Sequence, residues 1–272
     1  PAPSAVGGEA FRPDVIINAA GIGGGTFDPA LLHAANVAVL DPLIALATAT
    51  SGCLLVQLST PATQFRFADR LGISEQEPFS SPISPYAASK QYAERHTRAA
   101  PGLSWCILRL RAGYGHGAPS MVENLRAAVR AGRLPLVKGG RAVIDLVHVD
   151  DIADAVAAVC ENRDAMRHVV ANVAGPEALS FHDITQTLAR CYGKAARYLP
   201  VPANAVLVAG AALNSFWTWT GQQGEPPLTR HAAGALVYSQ TLDLSVLKTW
   251  TGWEPKRRFA DYACITAGQP DQ

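Results

Sequence analysis

The chain of 272 residues contains no Cys-x-x-Cys and no His-x-x-x-His, so no metal site is expected. Cysteine is scarce and unpatterned. Cys53, Cys106, Cys160, Cys191 and Cys264 are scattered, mostly within apolar segments. An odd number without a spacing framework reads as reduced core thiols of a cytoplasmic protein. Charge is also thin and balanced: 23 Lys and Arg against 22 Asp and Glu leave +1, with no basic block. That composition argues against nucleic acid or an anionic membrane as partners. No secretory leader is expected from the opening residues. The longest uncharged stretch, Tyr198 to Gly224, is interrupted by Pro, Asn and Gln. It reads as a lobe helix lining an apolar pocket rather than a membrane span.

The most telling feature present is Ser84-Pro85-Tyr86-Ala87-Ala88-Ser89-Lys90. Residues i and i+4 share a helix face, so Tyr86 and Lys90 stand together. Ser84 suits the N-cap and Pro85 the first helical position. An ammonium beside a phenol, helped by the helix dipole, is expected to lower the tyrosine pKa and make a tuned proton donor. Upstream, Gly52-Cys53-Leu54-Leu55-Val56-Gln57-Leu58-Ser59-Thr60 is a buried-strand pattern ending in two hydroxyls. Such a strand end faces the crevice where open α/β sheets bind ligands.

Strands are expected at Asp14–Gly21, up to Thr60, at Trp105–Arg109, Val143–Val147 and Val169–Val173. Between and after them come helices at about Pro29–Thr50, Tyr86–Ala99, Val122–Ala131, Ile152–Cys160, Ser180–Cys191, Ala203–Trp219, Leu244–Trp250 and Phe259–Ala267. This alternation argues for an α/β fold with a parallel sheet covered on both faces. Asp150 and Asp151 are expected to cap their helix, and Glu75 and Glu77 to lie in a solvated loop. Arg109 suits either an anion anchor or a structural ion pair. Trp217, Trp219 and Tyr238 suit either a substrate pocket or a plain lobe core.

In order along the chain, several segments resemble the extended short-chain dehydrogenase/reductase family, the NAD-dependent epimerases, dehydratases and 3β-hydroxysteroid-dehydrogenase-like reductases. They are Pro13–Gly21, Asn36-Val37, Leu58-Ser59-Thr60-Pro61, Pro85–Lys90, Ile107-Leu108-Arg109, Tyr114-Gly115, Leu146–Ala153, Leu242–Ser245 and Gly252–Pro255. The resemblance implies a Rossmann-like core over 1–117 with the 143–173 strands interleaved. It implies a smaller C-terminal α/β substrate lobe from 118–142 and 174–272. Tyr86 would be the acid/base, Lys90 its partner and ribose ligand, and Thr60, or Ser59 one residue away, the hydroxyl on the substrate oxygen. Ala20, Gly21, Asn36 and Leu110 would lie along the cofactor. Leu110 and His116 stand where the family has proline, and Pro61-Ala62 replaces the acid pair of sugar 4,6-dehydratases.

The family's opening Gly-x-x-Gly-x-x-Gly is not in this sequence, and Gly21-Ile22-Gly23-Gly24-Gly25 does not match its spacing. The core is therefore expected to lack its first strands, as a truncated family member. The Val15–Ile17 strand becomes a sheet edge to be covered by Pro1–Ala10 or by a second subunit. NAD or NADP is expected if a glycine-rich segment precedes Pro1, and no dinucleotide otherwise. The expected activity is NAD(P)-dependent oxidoreduction of a hydrophobic ketone or alcohol. The alternatives are redox-neutral isomerisation, dehydration or cyclisation without cofactor, nucleotide-sugar epimerisation, or a non-catalytic scaffold. Expected partners are an apolar small molecule and, by resemblance, a second copy in a homodimer.

Overall fold

The computed structural model describes residues 11–23, 28–117, 121–132, 134–221, 224 and 226–265. Pro1–Ala10, expected above as an edge cover, and Gly24-Gly25 of the glycine run lie outside the described residues. A four-stranded parallel sheet runs in the order Val15–Asn18, Leu54–Ser59, Ser104–Leu110, Val169–Val173. Its strands are continuous apolar runs because both faces are covered. Leu54, Val56, Cys106 and Leu108 point to one face and pack with Ala155, Val159 and Met166. Cys53, Leu55, Trp105 and Ile107 point to the other and pack with Ala47, Leu43 and Ile44. Among the described residues Val15–Asn18 is an edge strand, and its Ile17 is 46 % exposed.

Pro29–Ala49 is long and apolar enough, by length and composition, to cross a membrane. Here it is broken by a π-helical turn at Ala34–Ala38 and buries Leu32, Val37, Leu40 and Ala47. A second sheet runs Leu179–Ser180, Val143–Ile144, Gln240–Leu242, Arg70–Ile73. Val143–Ile144 thus hydrogen-bonds in this smaller sheet, not in the central one. The strands Arg70–Ile73, Leu134–Val137, Tyr198–Val201 and Gln240–Leu242 and the helix Arg230–Val237 carry no readable sequence period and come as additions. They are short, three or four residues for each strand, so too few positions carry a continuous or an alternating pattern.

Three local expectations are corrected. Cys191 and Cys264 are joined in a disulfide, with Cα atoms 4.9 Å apart across 73 residues of sequence. Helix packing brings together two thiols that spacing could not pair. The Ile152 helix begins earlier, at Val149, and its cap is His148, whose Nδ1 accepts from Asp150 N at 3.2 Å. Asp151 is instead a buried clasp on the chain's last segments. It accepts from the backbone of Lys256 and Arg257 at 3.2 and 3.0 Å and pairs with the Arg257 guanidinium at 2.6 Å. Asp151→Ala would leave those donors without their acceptor, and we expect a loss of about 2–3 kcal/mol in denaturant unfolding.

Candidate active site

The Pro85–Ala99 helix starts as its sequence dictates. Ser84 is extended and its Oγ accepts from Ala87 N at 3.1 Å, with Pro85 at the first helical position. Tyr86, Lys90 and Glu94 then follow at four-residue intervals and face the carboxyl ends of the central strands. Glu94 is fully buried. Its Oε1 accepts from Ser59 Oγ at 2.5 Å and from Arg109 Nε at 3.1 Å, and its Oε2 from Arg109 Nη2 at 2.8 Å. Arg109 is therefore a structural ion pair rather than an anion anchor. Its third nitrogen, Nη1, donates to Glu75 O at 3.2 Å.

Glu75 is buried and accepts from Asn172 N at 2.9 Å, and burial raises its carboxyl pKa. The expectation of a solvated loop fails for Glu75, because Asn172 on the edge strand Val169–Val173 turns its N–H to this carboxylate. Glu77 pairs with Arg70.

The two strand-end hydroxyls diverge. Ser59 turns back to Glu94. Thr60 caps the Pro61–Gln64 turn, its Oγ1 accepting from Ala62 N at 3.2 Å, and lies against the Tyr86 phenol. Strand alternation explains the difference: neighbouring side chains point to opposite sides.

Tyr86 does not show the expected lowered pKa. Burial raises it, and the Thr60 hydroxyl offsets this only in part. Lys90 gives no relief because its Nζ donates to Leu58 O at 3.3 Å. Burial lowers the pKa of Lys90 itself, against the pull of Glu94. A low-dielectric wall favours the neutral form of both groups.

Asn36, in the π-helical turn, holds the Ala20–Gly21 turn beside Lys90. Its Oδ1 accepts from Ile22 N at 2.8 Å and its Nδ2 donates to Ile22 O and Ser89 Oγ, both at 3.0 Å. Ala20 N donates to Asn18 Oδ1 at 3.1 Å. A Cβ at Gly21 would meet Asn36 Oδ1 at 2.7 Å and Lys90 Nζ at 3.3 Å. Only a bare backbone can close onto the ammonium there.

Thr60, Tyr86, Lys90 and Leu110 share the wall of a cavity of about 1050 Å³ with Phe65, Met121, Ile144, Ile152 and Tyr238. Trp217 and Trp219 are not on this wall, and Trp219 is 84 % exposed. The cavity also receives Arg111, His231 and Gln240, which the sequence reading did not single out. Arg111 had a usable signal, a charge just past an apolar strand. His231 had none, since its place is set by a contact with Phe65 across 166 positions of chain. No group of three potential metal-ligating side chains occurs among the described residues.

The model of the NAD dependent epimerase/dehydratase family matches residues 6–174. The chain belongs to this family. It is 29 % identical over 241 residues to a 2-alkyl-3-oxoalkanoate reductase of Shewanella oneidensis, covering 84 % of this chain and 61 % of the relative. The chain thus spans less than two thirds of that relative's length. It is 26 % identical over 234 residues to the 4-hydroxy-2-methyl-3-oxo-4-farnesyl-3,4-dihydroquinoline-1-oxide ketoreductase of Stigmatella aurantiaca, covering 85 % of this chain and 69 % of the relative. Among solved structures, the UDP-glucuronic acid 4-epimerase of Bacillus cereus in complex with NAD superposes with a TM-score of 0.69. That match has 18 % identity and covers 92 % of this chain and 72 % of that one; it establishes the Rossmann-like fold.

The divergence of the two hydroxyls is open to test in the full-length protein. Ser59→Ala should destabilise by about 1 kcal/mol while leaving turnover within about threefold. Thr60→Ala, which removes the hydroxyl beside the Tyr86 phenol, should lower kcat/KM by about tenfold or more. Equal losses in a side-by-side kinetic comparison would contradict the assignment.

Proposed function

We propose that this chain is a nicotinamide-dependent ketoreductase acting on an apolar oxo substrate. The observation that carries the reading is the meeting of Thr60, Tyr86 and Lys90 on one wall of a largely apolar cavity. The relatives whose names specify reduction of a 3-oxoalkanoate and of a farnesylated ketone support the same class. Ala20, Gly21, Asn36, Lys90 and Leu110 would hold the nicotinamide-ribose end of the cofactor, and the bare approach of Gly21 to Lys90 fits a sugar hydroxyl there. When bound, NAD(P)H supplies the hydride.

The chain's own residues manage the oxygen. Thr60 Oγ1 and the Tyr86 phenol hold the substrate carbonyl oxygen. As negative charge gathers on that oxygen, Tyr86 gives it the phenolic proton. Lys90, its Nζ turned to Leu58 O, would hold the nicotinamide ribose one helical turn from the phenol. The raised pKa of Tyr86 suits this direction, because the donor stays protonated across the neutral range. The apolar walls exclude water and strengthen each of these contacts.

Tyr86→Phe should reduce ketone-dependent oxidation of NAD(P)H by about 10²–10⁴-fold while leaving coenzyme binding, followed by fluorescence, unchanged. A variant that keeps its rate would exclude Tyr86 as the proton donor.

The pH profile carries a second expectation. Lys90 deprotonates below its usual 10.5 because burial lowers it, whereas Tyr86 holds its proton above 10. The alkaline fall in reduction should therefore follow loss of the Lys90 charge. Lys90→Arg, which stays charged, should move that limb to higher pH. An unmoved limb would assign it elsewhere.

A further inference from the structure

Two hydrogen-bond donors on the cavity wall have no use in the chemistry above. Arg111 leaves the end of the Ser104–Leu110 strand and reaches beneath Gln240–Leu242. Its Nη2 donates to Gln240 O at 2.5 Å. Its Nε meets Asp145 Oδ1 at 2.7 Å, off the hydrogen-bond angle. Nη1 has no partner among the described residues, although the side chain is only 11 % exposed and lines the cavity. His231, in the first turn of the Arg230–Val237 helix, lines the same cavity with its ring edge-on to Phe65 at 4.9 Å. Neither of its ring nitrogens has a partner among the described residues. Burial and the Arg111 charge push its pKa down to about 4, so at neutral pH the ring is uncharged and has one N–H to donate.

These donors lie in walls that are otherwise mostly apolar. Glu123, the single carboxylate among the described residues lining the cavity, is half-exposed and faces Arg126 at 3.6 Å. Asp145, behind Arg111, is committed by its second oxygen to Leu242 N at 2.6 Å. An uncommitted guanidinium nitrogen and an imidazole N–H lining the same cavity match a small planar anion with two acceptor oxygens.

We propose that Arg111 Nη1 and the His231 N–H form a carboxylate subsite. It binds an apolar oxo acid by its acid group while the keto group meets Thr60 and Tyr86. This rests on the ketoreductase reading and adds what selects the substrate within it. An oxo acid is accepted, and its ester or the corresponding simple ketone is disfavoured, because those leave the Arg111 and His231 donors desolvated and unanswered.

Calorimetric binding to the full-length protein, without reduced coenzyme so that nothing turns over, tests this. The probes are 3-hydroxydodecanoate and its methyl ester. The acid should bind about tenfold tighter or more, the effect of one to two charge-assisted hydrogen bonds. His231→Phe, which keeps a ring on Phe65, should shrink that ratio to about threefold. Arg111→Gln should abolish it. Should that variant fail to fold because Asp145 loses its cation, Arg111→Gln/Asp145→Asn removes both charges and gives the same readout. Equal affinity for acid and ester in the unmodified protein, or a preference that survives both the His231 and the Arg111 changes, would overturn the subsite. Acid preference with no reduction of any ketone would leave the subsite standing and reject the ketoreductase reading alone.

Discussion

The Glu94 carboxylate, buried with no exposed surface and gripped by both ends of the Arg109 fork, is the interaction on which the site depends. Two charges taken from water persist in a core only when each answers the other and their remaining hydrogen-bonding positions are filled. Here Ser59 fills one position on Glu94 and Glu75 O one on Arg109. The helix is thereby joined to two neighbouring strands at one point, and its rotation about its own axis is set. Lys90 and Tyr86 lie one and two turns earlier on the same face, so the same contact aims them at the strand ends.

Around this pivot the site is assembled from layers that the chain visits far apart. The central sheet supplies Thr60 and Leu110. The Pro85–Ala99 helix supplies Tyr86 and Lys90, and the π-helical turn presses Gly21 toward Lys90 through Asn36. The smaller sheet and the Arg230–Val237 helix add Gln240, Tyr238 and His231 to the cavity lining. Burial then sets the electrostatics. It holds Tyr86 protonated, weakens the charge of Lys90 and leaves His231 neutral. A single cavity thus brings Tyr86 and Thr60 together with Arg111 and His231.

Much of this was legible from the residues. Leu54–Ser59 and Ser104–Leu110 announce themselves as long apolar runs, and Ser84-Pro85 marks the helix start to the residue. What escaped reading has a common cause. Arg70–Ile73 and Gln240–Leu242 are strands only because they pair with each other across about 170 positions of chain. Cys191 and Cys264 are linked because two helices cross. Glu75 looked like a loop charge and is a core acceptor because Asn172 N needs one.

The sequence by itself determined the family, the parallel sheet and the pairing of Tyr86 with Lys90, since hydrophobic period, capping and i,i+4 spacing are local properties of the chain. Only the tertiary structure decided that Thr60, and not Ser59, lies beside the phenol, that the tyrosine pKa rises rather than falls, and that Arg111 and His231 share its cavity. Those outcomes depend on burial and on contacts between distant segments. Desolvation outweighs a neighbouring charge whose side chain points elsewhere, and no spacing along the chain encodes which way it points.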